Sequence, residues 1–167
     1  HWNFLVTCRH VVENGVRAHL FFTRADLERG IPTLGARHQI QVDDFESKWF
    51  FHPNPKIDIA VAPIASIVPA TSNGYVYLTA INEDALPTHQ TWRELEVIEE
   101  VVFFGYPSGY YDHHNLLPIA RRGITASPPH FDYDGRPEFL VDAAVYFGCS
   151  GSPVFIMSEL PIWQRLT

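Results

Sequence analysis

Apolar and polar residues alternate with a period of two along one short segment after another, and this pattern constrains the fold more than any other feature of the chain. Val16, Ala18, Leu20 and Phe22 interleave with Arg17, His19 and Thr23. Successive side chains of a strand point to opposite faces, so such a run makes a strand with one buried and one wetter face. The same reading, with β-branched and aromatic enrichment, predicts strands over residues 3–7, 16–23, 39–43, 48–51, 57–63, 75–79, 99–105, 120–126, 138–142 and 153–157. Helix signals are poor. The best covers residues 91–96, with Thr88 placed to cap it. Many short strands, punctuated by 13 prolines, 10 glycines and an Asn73-Gly74 turn signal, predict an all-β sandwich or barrel. Residues 24–37 read as a loop or extended hairpin, and residues 82–91 as the break between two strand-rich halves.

Composition narrows the function classes. Hydrophobic residues make up 46% and charged residues 19%, which excludes a disordered chain, a coiled coil and a collagen-like repeat. The longest apolar run, residues 57–65, is interrupted by Asp58 and Pro63, so no segment is expected to span a bilayer. Twelve Lys and Arg against 19 Asp and Glu leave a net charge of −7, with no basic cluster longer than Arg121-Arg122. Phosphate binding needs concentrated positive charge, so no nucleic-acid partner is expected. Two cysteines, Cys8 and Cys149, build no disulfide framework and lack zinc-type spacing.

Three segments carry candidate chemistry. In Gly148-Cys149-Ser150-Gly151-Ser152-Pro153, a serine flanked by glycines can expose its Oγ while neighbouring backbone N–H groups converge on one point. A plain turn fits the same residues. Ser152 stands where a GxSxG elbow needs its second glycine, which disfavours an α/β-hydrolase. His10 follows the apolar run Phe4-Leu5-Val6-Thr7, where a strand end would hold an imidazole rigidly; a packed or surface histidine fits as well. Asp58 interrupts Ile57-Asp58-Ile59-Ala60-Val61, and a carboxylate in such a run calls for a partner unless it faces solvent. Asp43 and Asp44 are rival acids in a more polar run. His113 and His114 are adjacent, so on a strand their side chains diverge and make no metal site. The order His, Asp, Ser belongs to the chymotrypsin class and differs from subtilisins and α/β-hydrolases.

These residues sit in longer stretches that resemble a known family. FLVTCRHVV is similar to the strand and histidine turn of trypsin-like (chymotrypsin-fold) serine peptidases, KIDIAVAPI to their aspartate segment, and FLVDAAVYFGCSGSPVF to their nucleophile loop. The last stretch, with VVFFGYPSG and IARRGITAS, is especially similar to bacterial HtrA/Deg-type peptidases. The resemblance implies two packed antiparallel β-barrels in a single peptidase domain: a first barrel over about residues 1–80, a linker over about 81–96 and a second barrel over about 97–167. It makes His10 the general base, Asp58 its orienting acid and Ser150 the nucleophile, with the backbone N–H groups of Gly148 and Ser150 as oxyanion hole. The implied activity is peptide-bond hydrolysis through an acyl-enzyme, with a peptide or protein as substrate and neither cofactor nor metal. Oligomeric state is left open.

Departures from the family pattern shape the remaining expectations. Cys149 replaces the Asp or Asn usual before the nucleophile and is expected to pack inside; as a nucleophile it would be one position out of register. Ser152 replaces a glycine, which is tolerable at negative φ. Cys8, two residues before His10, is expected near the floor of the active site. Few residues follow Ser150, so the second barrel is expected to be incomplete, with the chain truncated or residues missing around 158–160. These departures motivate an alternative, a catalytically silent trypsin-like module that binds peptides or protein partners. In the family, the residue six positions before the nucleophile forms the base of the primary specificity pocket; here it is Ala144, beside Ala143, Val145 and Phe147. Alanine offers no charge to a substrate ammonium, so cleavage is expected after small or medium apolar residues. Cysteines near the catalytic motifs suit a reducing compartment, which favours the cytoplasm, with periplasmic export as the alternative.

Overall fold

A computed structural model of the chain describes residues 3–69 and 74–157. Asn73 of the turn signal and the expected irregularity around 158–160 lie outside the described residues. The chain is mostly β with few helices. It divides into two units, His1–Ala80 with Gly109–Pro118, and Ile81–Ser108 with Ile119–Thr167.

In the first unit, β1 (Phe4–Thr7), β5 (Ala60–Pro63) and β4 (Phe50–Phe51) form an antiparallel sheet in the order β1-β5-β4. The strands β2 (Arg17–Ala25) and β3 (Pro32–Asp43) form a long hairpin. Alternation along β2 works as the sequence predicts over Ala18, Leu20 and Phe22, which pack against the core. Their partners across the hairpin include Ile40 and Val42, both buried. Val16 differs: it precedes the strand and is exposed. Residues expected as a loop or extended hairpin continue the ladder to Ala25↔Pro32, after a register shift between Thr23 and Arg24. Val12, Phe45, Ala60, Ala62, Ile67 and Val76 complete the core.

Three expected strands of this unit are shorter than the sequence suggests. Residues 48–51 reduce to β4, because a 3-10 turn over Phe45–Lys48 takes the preceding backbone. Trp49 and Phe51 pack on the core while Phe50 is exposed, as expected for opposite faces of an extended segment. Residues 57–59 are held in local turns, with the Ile57 N–H donating to Asn54 and the Ile59 N–H to Ile57. In 75–79 the only bridge among the described residues is Arg24↔Val76, flanked by bonds to Thr23 and Ala25 at the hairpin's irregular end. With ladders confined to separate sheets, the sheets among the described residues are not closed barrels.

In the second unit, β6 (Glu100–Gly105), β7 (Ile119–Thr125), β8 (Val141–Ala143) and β9 (Val154–Ile156) form one antiparallel sheet in the order β8-β7-β6-β9. Val101 and Phe103 of the inner strand β6 are buried. Thr125, buried at the end of β7, donates its hydroxyl to the Val97 carbonyl and accepts the Glu99 N–H. That pair of bonds fixes the entry into β6. The short helices are α1 (Arg9–Val12), α2 (Ile64–Ile67) and α3 (His89–Arg93). The helix expected at 91–96 is α3, begun earlier because the Thr88 hydroxyl accepts the Thr91 N–H at 3.1 Å.

Candidate active site

Antiparallel pairing of β1 with β5 places Thr7 opposite Ala60. The chain leaving β1 therefore runs beside the chain entering β5, and residues 48 positions apart in sequence become neighbours. His10 does not end a strand, as the sequence suggested, but sits in the single turn of α1 that follows β1. Val12, at 2% exposure, anchors that turn in the core. Asp58 sits in the turn before β5 rather than in the strand.

The two side chains meet in a two-point grip. The His10 backbone N–H donates to Asp58 Oδ1 at 2.9 Å, and His10 Nδ1 lies 2.5 Å from Oδ2. Partial burial opposes ionisation of Asp58. The His10 amide, the His10 ring and the Arg9 amide outweigh it and hold the carboxyl below the ordinary 3.8. An ionised carboxylate only accepts, so Nδ1 carries the ring proton and Nε2 is left as the acceptor. This is the tautomer a general base needs. Of the rival acids, Asp43 is engaged elsewhere: it pairs with Arg17, its partner in the β2–β3 ladder, at 2.5 Å.

Ser150 lies in the second unit, in the loop between β8 and β9. Ser150 is exposed and Cys149 is buried, so the thiol packs inside. Gly148 and Gly151 have φ of +86° and +81°, in the left-handed region that favours glycine. A Cβ on Gly148 would collide with the Tyr106 carbonyl oxygen. The Ser108 N–H donates to the Phe147 carbonyl, which fastens the loop to the turn after β6. Within the loop, the Cys149 N–H donates to Tyr146 and the Ser152 N–H to Cys149, whereas the Gly148 N–H makes no backbone hydrogen bond among the described residues. Ser152 has negative φ, and its hydroxyl occupies the space a side chain at Gly105 would fill. A glycine in β6 thus accommodates the serine in the loop.

A model of the trypsin-like peptidase domain family matches residues 1–159. The chain belongs to that family. No curated protein and no solved structure gives a significant match. Trypsin-like peptidase domains hydrolyse peptide bonds, which supports a hydrolase acting on a peptide or protein. Among the described residues, no helix is long and apolar enough to cross a membrane.

One feature of this peptidase domain escaped the sequence, and a second was anticipated only in part, through the expectation of Cys8 near His10. Arg121 of β7 donates from Nη1 to the Ala144 carbonyl at 2.7 Å and lies over the Tyr146 ring at 4.7 Å. Its Nε is buried with no hydrogen-bond partner among the described residues. Only the β7–β8 register, Gly123↔Ala143, brings Arg121 alongside Ala144, and no local motif encodes that pairing. The second feature is a cluster of donors. One ligand atom each from Cys8, His10 and Asp58 lie within 4.8 Å of one another.

Proposed function

We propose that the chain is a serine endopeptidase in which Ser150 attacks the scissile carbonyl, His10 carries the proton and Asp58 holds the imidazole in its working tautomer. The observation that carries this reading is the two-point contact between Asp58 and His10, with Nδ1 2.5 Å from Oδ2. A merely structural ion pair does not need the backbone amide and the ring of one histidine on the two oxygens of one carboxylate. An exposed serine between left-handed glycines supports the role of Ser150. The Gly148 and Ser150 N–H groups are proposed as the oxyanion hole. The motifs quoted above favour a relationship with HtrA/Deg-type peptidases.

For specificity, we place Ala144 at the base of the primary pocket and propose cleavage after small or medium apolar residues. The Arg121 guanidinium on the Ala144 carbonyl adds a fixed positive charge there, a second reason for a substrate Lys or Arg to be disfavoured. Cys149 is buried without a disulfide, which suits the reducing cytoplasm proposed for this protein. A fluorophosphonate probe tests the central claim. The protein is expected to be labelled at Ser150, with Ser150→Ala unlabelled and its peptide turnover reduced ~10⁴-fold or more. A folded protein that resists labelling would instead favour the silent, peptide-binding module.

A further inference from the structure

Cys8 has no role in peptide hydrolysis, yet it belongs to the cluster around the general base. Its sulfur, a nitrogen of His10 and an oxygen of Asp58 supply thiolate, imidazole and carboxylate, the three donor types zinc takes. Their ligand atoms all lie within 4.8 Å of one another, and a zinc tetrahedron with bonds of ~2.0–2.3 Å has edges of roughly 3.3–3.6 Å, so side-chain movements of about 1 Å would bring the three donors onto one ion. Nδ1 and Oδ2, now 2.5 Å apart, must separate by roughly 1 Å to share the ion. Asp58 can move Oδ2 while Oδ1 keeps the His10 amide at 2.9 Å. The cation nearest in sequence is directed away: Arg9 pairs with Glu13 at 2.8 Å and lies over the Phe51 ring at 4.8 Å. All three donors belong to one unit and hang on the β1–β5 pairing, so the cluster is built by the fold rather than by side-chain chance.

We propose that Cys8, His10 and Asp58 form a binding site for a thiophilic divalent cation of the zinc class, and that its occupancy switches the peptidase off. The switching half rests on the serine peptidase reading; the binding half does not. A metal on Nδ1 displaces the proton held there for Asp58 and leaves the neutral ring with its only proton on Nε2. The nitrogen that should accept the serine proton is then a donor. The carboxylate is drawn to the metal as well, so the base loses both its tautomer and its orienting partner. Binding also deprotonates the Cys8 thiol, releasing a proton to solvent. Chelation restores the resting pair.

Two measurements on the full chain separate the halves. Cobalt(II) is titrated into the Ser150→Ala protein and followed by thiolate-to-metal charge-transfer absorption. One equivalent is expected to produce the band, Cys149→Ser to retain it, and Cys8→Ser to lose it while keeping the wild-type circular dichroism. A His10→Ala variant, expected to weaken the band, covers the case in which Cys8→Ser misfolds. Absence of the band, or its persistence in folded Cys8→Ser, overturns the site. Fluorophosphonate labelling of the wild-type chain is then measured against zinc, each variant relative to its own metal-free rate. Zinc is expected to suppress labelling and a chelator to restore it. Cys8→Ser should need at least ~100-fold more zinc, since losing even an outer-shell partner costs up to that factor. Labelling indifferent to zinc while the cobalt band forms overturns the switch. A protein that never labels, metal-free, refutes the peptidase reading and with it the switch, and leaves the cation site standing.

Discussion

Replacing Asp58 with asparagine isolates what the carboxylate contributes. The asparagine oxygen can still accept the His10 N–H that Oδ1 receives at 2.9 Å, so the backbone half of the grip survives. The other half reverses: an amide NH₂ now faces Nδ1 where Oδ2 stood at 2.5 Å. Two donors cannot share that contact, so Nδ1 becomes the acceptor and the ring proton moves to Nε2. The base is then blocked by its own proton, and the imidazolium formed during acyl transfer loses its counter-charge. A tautomer inversion of this kind costs ~10⁴-fold in turnover, or about 5 kcal/mol in the barrier. Folding stability should barely respond. The two side chains are 58% and 50% exposed, and pairs at that exposure contribute less than about 1 kcal/mol. Asp58→Asn and wild type are compared by kcat/KM on a peptide with leucine at the cleaved position and by urea denaturation. A fall of less than about tenfold in a folded variant would refute the assignment of Asp58 as orienting acid.

Gly148→Ala should cut labelling of Ser150 by ~10²-fold or more, the scale of losing one oxyanion donor, because its φ of +86° and the Tyr106 carbonyl leave no room for a methyl group; an unchanged rate would remove Gly148 from the oxyanion hole. Arg121→Gln should raise the relative rate of cleavage after lysine several-fold over cleavage after leucine, and a profile that does not move would show that the guanidinium on the Ala144 carbonyl has no say in specificity. Arg17 and a hydrogen bond from Gln41 hold the Asp43 carboxyl below its ordinary 3.8. The stability this pair contributes is therefore fully present above that ordinary value and is lost as pH falls through the depressed one. Chemical denaturation of Asp43→Asn should show a small deficit at neutral pH that vanishes in acid, and a deficit that grows toward acid would contradict the sign.

The contact between His10 and Asp58 was more legible in the sequence than the framework that holds it. Asp58 stood out because a carboxylate in an apolar run requires an explanation, and the structure supplies one in the His10 amide and ring. The same apolar run misled the strand assignment, since period and composition cannot see the turn bonds to Asn54 and Ile57 that hold residues 57–59 out of the ladder. Alternation was sound for Ala18, Leu20 and Phe22, where a long partner strand enforces it. It was weaker at 75–79, which among the described residues pairs at the irregular end of the hairpin through the single bridge Arg24↔Val76. Among the described residues the sheets are not the closed barrels that the resemblance implies, and the contact of Arg121 with Ala144 could not be read from spacing, because it depends on which strands pair and in what register.

The pairing of Thr7 with Ala60 has a kinetic consequence. Slipping β5 by one residue against β1 would shift the turn that carries Asp58 by ~3.3 Å relative to the chain leaving Thr7, and would turn the buried Ala60 and Ala62 to the opposite face. A chain with that error would lose part of its core but keep nearly all its sheet content, so far-ultraviolet circular dichroism would count it as folded. It would lack the His10–Asp58 contact on which the proposed mechanism depends. During refolding, on the proposed triad, the recovery of Ser150 labelling should therefore lag behind the recovery of secondary structure by the time needed to correct mispaired strands, and labelling becomes a clock for β-sheet proofreading.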